Sequence, residues 1–233
     1  FFPVGEVNGT HGVYRPGGSA LNSGQVGGLR AAQFIAARYR ERPLSIADFL
    51  SQAKGQIEKK VHLGSQFVTN MRTNGNVRDI RKRLGKRMTG VGAHIRSLRE
   101  VQEAAKAAHS DLLALPKTTR LSSLHELPLA FQNRDLLICQ YVYLSAMADY
   151  IEAGGGSRGS YVIHDPEGTL PQSNLPELFR FRPDKVELSN YIQEVSLIED
   201  RCRFIWRPVN PLPQEEQWFE SVWRAYREDK IIH

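Results

Sequence analysis

Asn133-Arg134-Asp135-Leu136-Leu137-Ile138-Cys139-Gln140-Tyr141-Val142-Tyr143-Leu144-Ser145-Ala146-Met147-Ala148-Asp149-Tyr150-Ile151-Glu152-Ala153 is the stretch that decides the fold class. It is rich in Leu, Tyr, Met and Ala and has few polar positions. It therefore reads as a long helix, the central and most buried one of a bundle. Cys139, inside that apolar pattern, is expected to behave as a small buried hydrophobe. Gly154-Gly155-Gly156 ends the helix.

Working back from it, Leu98, Val101, Ala105, Ala108 and Leu112 give a helix from about Ser97 to Leu115, stopped by Pro116. Ile80, Leu84 and Met88 recur every four residues on another, between the break at Thr73-Asn74-Gly75-Asn76 and Gly90-Val91-Gly92. Ser45 is placed to cap a helix through Ile46, Phe49, Leu50 and Ile57. From Ser19 to about Arg42, Leu21, Val26, Leu29, Ala32, Phe34 and Ile35 give an apolar side, and Pro43 ends the segment.

Working forward, the chain is irregular through several prolines as far as Pro183. Tyr191–Leu197 and Arg203–Pro208 flank a polar turn at Glu199-Asp200, which predicts a hairpin. Pro213 opens a last helix with Trp218, Phe219, Val222, Trp223 and Tyr226, aromatics that read as core rather than as a cofactor box.

The chain has 233 residues, 41% hydrophobic and 24% charged, ordinary for a globular protein. No apolar run is long enough to span a bilayer, and the start lacks the features of a secretory signal. It also lacks an initiator Met, which is consistent with a fragment, though tag removal or trimming gives the same start. Cys139 and Cys202 are too sparse for a disulfide framework or a metal motif, and a reducing, cytoplasmic setting follows. The net charge of +6 reads mostly as a solvated surface. Arg78, Arg81, Lys82, Arg83, Lys86 and Arg87 form its densest cluster, with Arg96 and Arg99 following. No zinc-finger or RNA-binding signature accompanies them, so nucleic acid is disfavoured as a partner.

The chemistry lies in Val4-Gly5-Glu6-Val7-Asn8-Gly9-Thr10-His11-Gly12-Val13-Tyr14-Arg15-Pro16-Gly17-Gly18-Ser19-Ala20-Leu21. Its glycines let backbone approach a flat ligand, and the free amides of a helix start favour an electron-rich partner. His11 and Arg15 could supply a proton-bearing group and a carboxylate clamp. A plain glycine-rich turn between strand and helix fits the same residues about as well.

The order of residues resembles the carboxy-terminal flavin-contacting segment of the succinate dehydrogenase and fumarate reductase flavoproteins. There a Gly-Glu is followed by His-Gly-Ala-Asn-Arg-Leu-Gly-Gly-Asn-Ser-Leu and a long helix. The resemblance implies that Glu6 binds the ribitol of FAD and that His11 and Arg15 hold the substrate carboxylate. The backbone amides of Ser19, Ala20 and Leu21 would face the flavin pyrimidine edge. Tyr14 and Pro16 depart from the family's Asn and Leu, and Ser19-Ala20 from its Asn-Ser, so the substrate's identity does not follow.

A partial second match supports the first. The long helix followed by Ser157-Arg158-Gly159 resembles the family's helical domain, where such a helix leads into Glu-Ser-Arg-Gly-Ala-His. Val77–Met88, Val91 and Arg96 likewise resemble that domain's first helix. For Arg158 itself, a helix-end cation on free carbonyls is preferred to catalysis.

The strand–Gly-x-Gly-x-x-Gly–helix unit that binds the FAD pyrophosphate does not occur, and Gly24–Gly28 falls inside a helical pattern. The expected fold is mainly α. A carboxy-terminal segment of an FAD-binding α/β domain (1–42) precedes a helical bundle (44–155) and an irregular tail with a hairpin and an aromatic helix (156–233). The implied activity is FAD-dependent redox at a carbon–carbon bond next to a carboxylate, with the fragment alone inactive. Its partners would be a missing amino-terminal FAD-binding half, a small carboxylate substrate and an electron-transfer subunit. Aspartate oxidase and adenylylsulfate reductase are rival relatives within the class. Outside it, the alternative is a non-enzymatic helical module binding a protein or nucleic acid through the Arg78–Arg99 face.

Overall fold

The computed structural model describes residues 1–8, 19–40, 42–209, 218–228 and 230. It is mainly α. Among the described residues its helices are α1 (Ser19–Arg38), α2 (Ile46–Thr69), α3 (Val77–Val91), α4 (Leu98–Thr118), α5 (Leu127–Glu152) and α6 (Trp218–Arg227). The strands are β1 (Ile95–Arg96), β2 (Val162–Thr169), β3 (Tyr191–Ile198) and β4 (Arg201–Pro208). None of these helices is long and apolar enough to cross a membrane. Contacts divide the chain into two units, residues 1–50 with 210–233 and residues 51–209, the division falling within α2.

In the first unit, Gly5–Asn8 forms a 3-10 turn against α1. A Cβ on Gly27 would lie 3.2 Å from that of Val4, so the bare glycine seats the incoming chain. Phe2, Phe34 and Tyr39 form a ring cluster with centroids 5.9 to 6.4 Å apart. The Gln33 amide donates to the Tyr226 hydroxyl at 2.5 Å. Of the aromatics expected in the core, Trp223 is 53% exposed and lies stacked on Tyr226. One face of α6 therefore stays wet. α1 stops at Arg38, short of Pro43.

The second unit is built on α3, α4 and α5, with neighbours in the chain running antiparallel. α3 buries Val77, Ile80 and Leu84 and turns Arg78, Lys82 and Lys86 outward. α4 buries Val101, Ala104, Ala105 and Ala108, and those small side chains let it lie close on α5. α5 buries Ala130, Asn133, Leu137, Gln140, Leu144, Ala148 and Ile151, a spacing of three and four residues. Asn133 donates to the Val77 carbonyl at 2.8 Å, and Gln140 donates to that of Leu84. Both pairs are seven residues apart on their helices, so two amides fix the register of α5 on α3 in a core where an unpaired polar group would be costly.

Three expectations are corrected. α5 is buried along one face only: Tyr143 is 60% exposed, and Cys139 is exposed rather than a buried hydrophobe. Its low polarity reflects an apolar outer face, which burial does not require. α5 also starts six residues before Asn133, with Pro128 in its first turn, where the missing N–H has no intrahelical role. Pro116 does not end α4, which runs to Thr118. The proline gives up one intrahelical bond there, and its own carbonyl accepts the Asn70 amide at 2.8 Å.

Ser45 caps α2 as expected: its hydroxyl accepts the Asp48 N–H at 3.2 Å and donates to the Asp48 carboxylate at 2.6 Å. The hairpin also forms as expected, β3 pairing antiparallel with β4 around Glu199-Asp200. Glu199, at φ 58°, takes the left-handed conformation that a two-residue turn needs at its first position. What periodicity did not reveal is β2, which pairs parallel with β1 through Ile95↔Val162 and Arg96↔Ile163.

Candidate functional site

Of the residues expected to act on a flavin, His11 and Arg15 lie outside the described residues, as does the side chain of Ser19. Glu6 is exposed in the 3-10 turn. Ser19 is the first residue of α1, so its N–H and those of Ala20 and Leu21 lack intrahelical partners. Ala20 is half-buried and Leu21 is 75% exposed. The first turn of α1 carries no acidic residue.

The expected basic face is partly spent on structure. Arg87, largely buried, donates to the Asp111 carboxylate and to the Gln140 amide oxygen at 3.3 Å. Arg83 sits 3.6 Å from the same carboxylate, and Arg81 donates to Gln132.

A second site lies wholly within residues 93–206: a cavity of about 400 Å³ between α5, the β1–β2 pair and the hairpin. Its shape begins at Gly154-Gly155-Gly156. Gly154, at φ +90°, turns the chain out of α5. The Tyr150 ring lies across Gly155, and the Pro183 carbonyl oxygen would be 1.9 Å from a Cβ on Gly156. That close approach brings Asp184 to the Tyr150 hydroxyl at 2.7 Å, and Asp184 also pairs with Arg158 Nε at 3.1 Å. Burial, together with the bond to Asp184, pushes the Tyr150 phenol well above its ordinary value.

Arg158 is therefore not the helix-end cation expected of it. That place belongs to Arg182, which donates to the Ile151 carbonyl at 3.2 Å. The tight turn after α5 carries Arg158 away from the helix end towards Asp184.

The hairpin closes the opposite wall. Gln193 and Trp206 face each other across β3 and β4, and both donate to Asp149 Oδ2, at 2.8 and 3.0 Å. One carboxylate on α5 thus holds the hairpin to the helix. Trp206 stacks on Tyr150 with centroids 6.5 Å apart, and Tyr161 meets Tyr150 edge-on at 6.3 Å. The Arg96 guanidinium lies 4.1 Å over the Tyr161 ring, its Nε donating to the Ala93 carbonyl at 2.8 Å. Burial lowers its pKa, an effect partly offset by Tyr161.

This cavity was missed in the sequence because its walls come from four separate segments. A signal was available in Tyr143, Met147 and Tyr150, which share one face of α5 at helical spacing. Among the described residues no group of three or more His, Cys, Asp or Glu side chains is arranged to hold a metal ion. Comparison with family models, with curated proteins and with solved structures gave no match.

Proposed function

We propose that the chain is part of an FAD-dependent oxidoreductase similar to the succinate dehydrogenase and fumarate reductase flavoproteins, acting on a carbon–carbon bond beside a carboxylate. The observation that carries the reading is the succession Glu6, His11, Arg15, Gly17-Gly18 leading directly into a helix that starts at Ser19. Glu6 would hold the ribitol, and the first amides of α1 the pyrimidine edge, where the positive end of a helix dipole favours electron-rich atoms. Bound FAD would supply the two-electron chemistry. Arg15 would clamp the substrate carboxylate with its planar fork, and His11 would bind the same end and fix its orientation. The pyrophosphate-binding glycine motif is absent from these 233 residues, so that half of the cofactor site is assigned to polypeptide outside them.

The test is steady-state kinetics of the flavin-loaded protein with a dicarboxylate. Arg15→Ala removes one side of a desolvated charge pair, worth about 2–5 kcal/mol, so kcat/KM is expected to fall at least roughly 30-fold. Unchanged kinetics would remove Arg15 from the site. Failure of the protein carrying both halves to bind flavin would overturn the reading as a whole.

A further inference from the structure

We propose that the cavity between α5, the β1–β2 pair and the hairpin binds a small planar aromatic carboxylate, with Arg96 as its anchor. The proposal does not rest on the flavin reading, since every residue it uses lies between 93 and 206.

Asp184 takes both the Tyr150 hydroxyl and Arg158, and Asp149 takes Gln193 and Trp206. Both nearby carboxylates are thus committed, and Arg158 is neutralised. Among the described residues Arg96 has no acidic partner: its Nε is spent on the Ala93 carbonyl, and its face rests on Tyr161. The two terminal nitrogens keep their donors, in the fork that matches one carboxylate bidentately. β-pairing of Arg96 with Ile163 holds the backbone beneath that fork, so it is preorganised.

The remaining walls set the rest of the ligand. Tyr150, Trp206, Tyr161 and Met147 offer flat or soft apolar surface, which favours a ring over a flexible chain. The volume of about 400 Å³ suits a one- or two-ring acid. One uncommitted cation matches a monoanion, whereas a phosphate dianion calls for more positive charge. Tyr143 and Tyr191, 60% and 46% exposed, place the mouth beside the start of β3.

The test is calorimetric titration of the 233-residue chain with 2-naphthoate, its neutral isostere 2-naphthamide, and acetate. Naphthoate is expected to bind saturably, with naphthamide at least roughly tenfold weaker because a charge-assisted hydrogen bond is lost. Acetate, without the ring, is expected to give no saturable heat. Arg96→Gln is expected to bring acid and amide to equal affinity, and Arg96→Lys to restore part of the difference. Equal binding of acid and amide to the unaltered chain, or no binding of naphthoate at millimolar concentration, overturns the proposal. So does wild-type discrimination by a folded Arg96→Gln variant. Should that variant fail to fold, the acid-against-amide comparison on the unaltered chain decides alone.

Discussion

Two arginines in the same helical unit show how differently a chain can treat a buried charge. Arg87, on α3, pairs with Asp111 on α4 and donates to the Gln140 amide oxygen on α5, so one guanidinium ties three helices together. Arg96, a few residues later, is half-buried yet meets an aromatic face and a single carbonyl. A desolvated charge is usually paired, because leaving it alone costs more than its packing returns. Arg87 follows that rule and serves the fold. Arg96 departs from it beside a cavity, where a departure points towards ligand rather than stability.

The largest effect is expected from the glycine that shapes the cavity wall. Gly156→Ala would drive a Cβ into the Pro183 backbone and push Asp184 away from Arg158. Urea denaturation should show a loss of about 3 kcal/mol or more, from overpacking against backbone that cannot yield. A loss below the error of the melt would mean that this turn adapts freely.

Next comes Arg87→Met, which leaves Asp111 partly buried without its main partner. The cost is expected at about 2–3 kcal/mol, below that of a fully buried pair because Asp111 is 29% exposed. Arg83→Met, at a side chain 55% exposed, should stay within about 0.5 kcal/mol on the same assay. Equal costs at the two positions would break the distinction between a structural and a surface arginine.

Tyr150→Phe follows, at about 1–2 kcal/mol for the lost hydrogen bond to Asp184. Its pH dependence has a definite sign. The phenol pKa is raised in the folded state, so the contribution is complete below the unfolded value of roughly 10 and is lost as pH rises above it. The parent chain should weaken at alkaline pH through this group, and Tyr150→Phe should remove that part of the slope. Parallel slopes in chemical melts across that range would exclude the effect.

The smallest change is expected at Arg96 itself. Arg96→Met leaves no carboxylate orphaned, so stability should stay within about 1 kcal/mol of the parent chain. A loss as large as that of Arg87→Met would place Arg96 among the structural arginines.

Much of the helical architecture was legible in the residues. The spacing of Ile80, Leu84 and Met88, the Ser45 cap and the Glu199-Asp200 turn each encode local geometry, and local geometry needs no distant partner to be read. Where the readings failed, they depended on partners. Cys139 lies in an apolar pattern yet faces outward, and Pro116 is carried within the last turn of α4. β2 has little hydrophobic alternation and is a strand because distant partners lie alongside it, β1 at Val162 and Ile163 and Phe181 at His164 and Thr169.

For the candidate sites the division is sharper. The sequence by itself determined a mainly α chain, a glycine-rich entry into a helix at Ser19, and the succession of Glu6, His11 and Arg15 on which the flavin proposal rests. Only the tertiary structure decided that Arg96, Tyr150, Tyr161 and Trp206 share one cavity, and that Asp184 and Asp149 are committed to other donors within it. The physical reason is that a motif is a property of neighbours along the chain. Whether a charge is paired depends on which distant acid the packing brings within reach.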